Sequence, residues 1–210
     1  MSCTANGVAD AVRAAAAVLA EHRAELIELD RAIGDGDHGE NMNRGFTAIL
    51  SALDSAVPDS PSAVLKLVAT TLIAKVGGAA GPLYGTAFLR ASTAVGGASE
   101  LDSDAVVAGL RAALEGVQAR GKAVEGDKTM VDALIPAVAA AEQAAGTEGA
   151  DVAAVLTAAA DAAGKGAEST VDLVARKGRA SYLGQRSAGH LDPGARSTAL
   201  LLGALARAAR

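Results

Sequence analysis

The chain has 210 residues, a net charge of −5, an apolar share of 50% and an aromatic share of only 2%. Such a length serves one domain that buries roughly 70% of its unfolded surface, and a core so poor in aromatics must be built from Ala, Leu, Val and Ile. Scattered basic residues and few aromatic rings argue against nucleic-acid binding, the lone Cys3 rules out an internal disulfide, and apolar runs interrupted before about 18 residues argue against a membrane span.

Ala and Leu head the helix propensity scale, and no stretch sustains an apolar/polar alternation. The expected fold is therefore all-α, one domain over residues 1–210 with eight helical segments joined by short connections. Short connections favour antiparallel neighbours in a bundle or closed ring. The first segment is expected from about Ala5 to Leu29, with Val8, Val12, Leu19 and Leu26 close to one face. The second follows Gly39 and runs to about Val57. A third opens on Ser60-Pro61, an N-cap followed by a proline at N1, and ends near Val76. The fourth spans about Pro82 to Val95, the fifth runs from Asp102-Ser103 to Gly121, and the sixth from Thr129 to Ala145. Pro136 should kink that sixth segment or delay its start. The seventh spans about Ala150 to Arg176, weakened by Gly164 and Gly166, and the eighth opens on Asp192-Pro193. The N-terminal residues lack a basic stretch followed by a long apolar one, so a cytoplasmic location is expected.

Four Gly-rich loops depart from this Ala-rich background: 30–41, 77–82, 121–130 and 177–194. In such loops backbone N–H groups become free to meet a ligand. Residues 34–39 satisfy GxGxxG, yet a helix rather than a strand precedes them, and Asp35 and Asp37 would repel a pyrophosphate. An EF-hand fails because the twelfth positions counted from Asp35 and Asp30 are Phe46 and Asn41, where a bidentate Glu is needed. No GxxxxGK[ST] occurs. What remains is Asp30, Asp35 and Asp37 at a helix end, carboxylates that repel by roughly 3 kcal/mol per pair at about 5 Å and an effective dielectric near 20. Spacing alone leaves two readings open, an acidic solvated turn or an all-oxygen cation site suited to Mg²⁺. Immediately afterwards His38-Gly39-Glu40-Asn41 begins a helix, and helix starts attract phosphate. For His38 itself, capping or solvation stands beside a catalytic role.

The strings LDRAIGDGDHGENMNRGF (29–46), KVGGAAGPLYGTAF (75–88), RGKAVEGDKTMVDAL (120–134) and RKGRASYLGQRSAGHLDPGARS (176–197) resemble, in order and spacing, the ADP-binding L subunits of dihydroxyacetone kinases. The resemblance covers essentially the whole chain. It implies an eight-helix antiparallel barrel with ADP or ATP held across the loops at one end. In the family, aspartates at the positions of Asp30, Asp35 and Asp37 hold two Mg²⁺ ions. Positions matching His38, Gly39, Glu40, Asn41, Ala79 and Ala80 lie against the nucleotide. Gly121 and Met130 match the base pocket, and Arg179, Asp192, Pro193 and Gly194 the remaining contacts. Two departures stand out: Ala80 replaces a frequent Ser, and Arg196 stands where a small hydroxyl residue is expected, as an extra phosphate or partner contact.

The resemblance further implies a phosphotransferase subunit inactive alone. Its partners would be a K subunit that holds dihydroxyacetone on a histidine and a phosphohistidine protein of the phosphoenolpyruvate phosphotransferase system. The competing readings are an ATP-dependent kinase for a small ketose with freely exchanging nucleotide, and a nucleotide-sensing adaptor on a transcription regulator. Outside these motifs, His22 and Lys165 read as solvated helix residues, Cys3 as inert and His190 as structural. Lys128 and Arg186 stand between loop bracing and phosphate neutralisation, with bracing favoured for Lys128.

Overall fold

Most helix starts are local affairs. Thr4, Ser60, Asp102, Thr129, Asp151 and Asp192 each cap a helix by accepting a backbone N–H through the side chain, and Pro61 and Pro193 occupy the first turns behind their caps. At Thr129 the cap is a full capping box closed by Asp132. The computed structural model describes residues 3–210. Among them lie nine α-helices: α1 (Ala5–Glu21), α2 (Arg23–Ile33), α3 (His38–Ser55), α4 (Pro61–Lys75), α5 (Ala80–Val95), α6 (Ser103–Gly121), α7 (Met130–Ala145), α8 (Val152–Ser169) and α9 (Pro193–Ala208). A 3₁₀ helix spans Arg179–Ser187. No strand occurs among the described residues; one isolated bridge joins Thr4 to Glu100.

From α3 to α9 each helix packs on its neighbours in the chain, and α9 returns to α1 and α2, closing a ring. The all-α expectation holds, with three differences of detail. The first expected helix is two, divided at His22, which is part-exposed at the junction with its ring on Glu25 rather than in the middle of a continuous helix. The seventh ends at Ser169 rather than Arg176, although it runs through Gly164 and Gly166. Its end is tertiary in origin, because the Lys128 ammonium takes the carbonyls of Thr170 and Val171. The last loop contains the 3₁₀ helix, with Gly184 at φ 54° inside it. Pro136 lies inside α7 and does not delay its start.

One part of the core is built from large side chains, including Leu19, Leu26, Met42, Phe46, Ile49 and Leu72, all buried. The α7–α8–α9 side is made of alanines. Ala133, Ala137 and Ala141 on α7 and Ala159, Ala163 and Ala167 on α8 repeat at i, i+4 and are fully or nearly fully buried. Such small ridges bring backbones close together, and Gly166 shows how close: a Cβ there would strike the Asp132 carbonyl oxygen. None of the described helices is long and apolar enough to cross a membrane.

Gly39 has the same role between α2 and α3. A Cβ at this position would run into the Arg23 carbonyl oxygen and the Ile27 side chain. Gly39→Ala is therefore expected to destabilise the chain by about 1–3 kcal/mol through overpacking, read as a lower midpoint in urea denaturation. An unchanged midpoint would mean that α2 gives way freely.

Candidate functional site

One end of the ring encloses a cavity of about 450 Å³. It is lined from the ends of α2 and α6, the segments after α4 and α8, and the starts of α3, α5, α7 and α9. Ends and starts thus alternate around one mouth, which makes the ring antiparallel. Four helix N-termini bring positive dipole ends and first-turn N–H groups to this mouth. Two of them, α3 and α5, begin without a side-chain cap from the residue before them; at α5 this leaves first-turn amides for a ligand, whereas the first amide of α3 is taken by Asp30.

The three aspartates converge here. Asp30, in the last turn of α2, is buried, and its Oδ2 accepts the N–H groups of Asp37 (2.8 Å) and His38 (3.1 Å). Asp30 thereby joins the end of α2 to the start of α3. A side chain at position 34 would collide with Asp30 Oδ1, so Gly34 keeps that oxygen open. Asp35 and Asp37 are exposed, and one carboxylate oxygen from each of the three lies within 4.8 Å of the others. A donor set of carboxylate oxygens on the rim of an open cavity, with space for water, fits a hard divalent cation such as Mg²⁺. Arg179 Nη2 lies 2.9 Å from Asp35 Oδ2, so a cation already neutralises part of the cluster.

His38 is neither a cap nor solvated. It is buried, and its Nε2 lies 2.8 Å from Ser197 Oγ. Ser197 continues to Tyr84 Oη (2.7 Å), which meets Thr198 Oγ1 at 2.9 Å, and all three hydroxyls reach the Gly194 carbonyl. Burial pushes the His38 imidazole below its ordinary value, against the pull of Asp30 and Asp37, so the ring is neutral near pH 7. Burial likewise pushes the Tyr84 hydroxyl up to about 12. Tyr84, Ser197 and Thr198 were missed in the sequence, where nothing marks a hydroxyl in an Ala/Leu helix as more than a helix residue.

Most of the remaining expected residues line the cavity: Asn41, Ala79, Ala80, Gly121, Met130, Arg179 and the Asp192-Pro193-Gly194 turn. Gly39 and Glu40 do not. Gly39 is consumed by packing against α2, and Glu40 pairs with Arg23 on the outside. Arg196 is not free for phosphate, since it grips Glu25 through Nε (2.6 Å) and Nη2 (3.3 Å), tying α9 to α2. Arg120 and Lys177 line the cavity and were not singled out in the sequence. His190 contributes its backbone carbonyl, to Lys128.

Asp192 is buried at the start of α9, where Oδ2 accepts the Ala195 N–H at 2.8 Å. Burial raises its carboxyl to about 7, with Ala195 and Lys128 acting in the opposite sense and Asp132 adding to the rise. A carboxyl raised on folding contributes stability that is present below its unfolded value near 3.8 and lost as pH rises toward 7. Asn caps a helix as well as Asp does. Asp192→Asn should therefore match wild type near pH 4 and gain on it as pH rises to 7, by at most about 1.4 kcal/mol per pH unit. Urea titrations across this range check it; parallel curves would place the Asp192 titration elsewhere.

An antiparallel helical ring with an oxygen-ligand cluster and four helix starts at one mouth is the architecture of a metal-assisted phosphate-binding protein. The chain belongs to the DAK2 domain family, whose domain matches residues 32–207. It is 45% identical over 185 residues to the ADP-binding subunit of a PEP-dependent dihydroxyacetone kinase of Listeria innocua, covering 88% of this chain and 87% of that one. It is 44% identical to the corresponding Escherichia coli subunit, covering 88% of each. The dihydroxyacetone kinase of C. freundii superposes with a TM-score of 0.73 at 30% identity over 95% of this chain. This chain spans only 34% of that larger kinase, which has also been crystallised with AMP-PNP and Mg²⁺.

Proposed function

We propose that residues 1–210 act as one nucleotide-holding unit, the ADP-binding subunit of a dihydroxyacetone kinase. The observation that carries this reading is the convergence of Asp30, Asp35 and Asp37 at a mouth that gathers four helix starts, that of α5 without a side-chain cap. Phosphoryl transfer asks a protein mainly for positioning and charge neutralisation, and both are provided here. Asp30, Asp35 and Asp37 would hold Mg²⁺, which would supply neutralisation of the phosphate charge. Asp30 fixes the start of α3 through the Asp37 and His38 N–H groups, so that the positive end of the helix dipole faces the cavity, and Arg179 is close enough to the cluster to share the phosphate charge. Met130, Gly121 and the Ala79-Ala80 turn border the apolar part of the cavity and receive the base and sugar. His38, held neutral by burial, orients the phosphate loop against α9.

The subunit reading rests on relatives that match over nearly their whole length and are themselves PEP-dependent. In this reading a K subunit presents dihydroxyacetone, a phosphohistidine protein recharges bound ADP, and all three meet in the cytoplasm.

Addition of ADP and Mg²⁺ at about a hundredfold over Kd should stabilise the native chain by about 2.7 kcal/mol. For a chain of this size that is a rise in Tm of roughly 5–10 °C. The rise should disappear in chelator. An equal rise with ADP in chelator would remove the carboxylates from phosphate binding.

A further inference from the structure

Lys128 is a buried lysine in a left-handed backbone conformation, φ 62°, at the last turn before the Thr129 cap of α7. Both features are costly unless something holds them. Its ammonium donates to three backbone carbonyls, those of Thr170, Val171 (3.3 Å) and His190. An ammonium has three N–H groups, and all three are engaged, leaving none for a phosphate. Two of the acceptors lie just beyond α8, where the negative end of the helix dipole favours a cation.

We propose that the Lys128 ammonium is a positioning residue, an internal cation that takes the role of a structural metal by fastening three loops so that the nucleoside side of the cavity is preformed. This rests on the nucleotide reading above. The loops are the 122–129 segment that leads to Met130, the 170–178 segment that leads to Arg179, and the 188–192 segment that leads to Asp192, Pro193 and Gly194. Neighbouring hydrogen bonds join these loops in pairs: Arg176 N–H to the Asp127 carbonyl (3.1 Å), Gly189 N–H to that of Val171 (2.7 Å) and Asp192 N–H to the Thr170 side-chain Oγ1 (3.0 Å). Lys128 reaches all three. The carboxylate cluster and the starts of α3 and α5 lie outside this knot, and Arg179, through its exposed pair with Asp35, is the one phosphate-side group that the knot reaches, so the phosphate side depends on it far less than the nucleoside side does. Asp192, Asp172 and Asp132 surround the ammonium and favour its charged form against burial.

Two variants of the full chain separate the ammonium from the backbone conformation. Lys128→Met keeps a similar length and the left-handed backbone while removing the charge; Lys128→Gly adopts that backbone freely. Both should weaken Mg·ADP by about tenfold or more, the scale of lost hydrogen bonds to a charged group, and leave Mg·pyrophosphate within about twofold of wild type by titration calorimetry. Hydrogen exchange on the ligand-free chains should quicken at the Gly189 and Asp192 amides and stay unchanged at the start of α3. Wild-type affinity in Lys128→Gly would show that only the backbone conformation matters, and equal losses of Mg·ADP and Mg·pyrophosphate would make Lys128 a phosphate or folding residue; either overturns the proposal. So would loss of the helical circular dichroism in both variants, or unchanged exchange. A wild-type chain that binds no Mg·ADP would instead sink the nucleotide reading, while exchange still decides whether Lys128 fastens the loops.

Discussion

Asp37→Asn is expected to abolish Mg²⁺-dependent ADP binding while the helical circular dichroism stays at wild-type strength. A unit charge about 2 Å from a divalent ion is worth roughly 4 kcal/mol even at the dielectric constant of water. Neutralising it should therefore weaken binding by at least about a hundredfold. The fold is spared for a specific reason. The Asp37 side chain is exposed and makes no cap hydrogen bond, and the part of Asp37 that the structure uses is its backbone, the N–H held by Asp30 and the carbonyl accepting the Asn41 N–H. Asp35→Asn should give a similar loss, partly offset because Arg179 is released from its pair with Asp35. Titration calorimetry with ADP and Mg²⁺ is the measurement. Near wild-type affinity in both variants would remove the metal site from these residues.

With Mg·ATP and dihydroxyacetone, the purified chain alone should form no dihydroxyacetone phosphate above background. Capture of a carbonyl substrate needs a free nucleophile or acid/base pair near the phosphate, and the three histidines are spoken for or misplaced. His38 is held on Ser197, His22 faces Glu25 at the α1–α2 junction, and His190 is exposed with its carbonyl on Lys128. Addition of a K subunit should restore about one turnover per bound ATP, since positioning and neutralisation are already in place. Sustained turnover should then require phosphoenolpyruvate and the phosphotransferase proteins. If free ATP sustains it instead, the unit exchanges nucleotide and the donor protein is not its source. Product from this chain alone would overturn the division of labour itself.

The all-α class was legible in the sequence because its causes are local. Ala and Leu supply helix propensity, and Ser60-Pro61, Asp102, Thr129 and Asp192-Pro193 announce helix starts within three residues of the N–H they satisfy. The aspartate triad was legible for the same reason: Asp30, Asp35 and Asp37 lie within eight residues, so a single helix end and turn bring them together. Whether that triad was a solvated turn or a ligand cluster was not legible, because the difference lies in the burial of Asp30 and in which other loops face it. Tertiary structure decided what depends on residues distant in the chain. His38 meets Ser197 across 159 positions, Arg196 meets Glu25 across 171, and Lys128 ends α8 from 42 positions away. His38 and Lys128 are withdrawn from water and the Arg196–Glu25 pair is partly so, and a buried polar group goes to whatever partner the packing brings within reach. Sequence determined which residues needed such partners; only the closing of the ring, with α9 laid against α1 and α2, determined which partners they found.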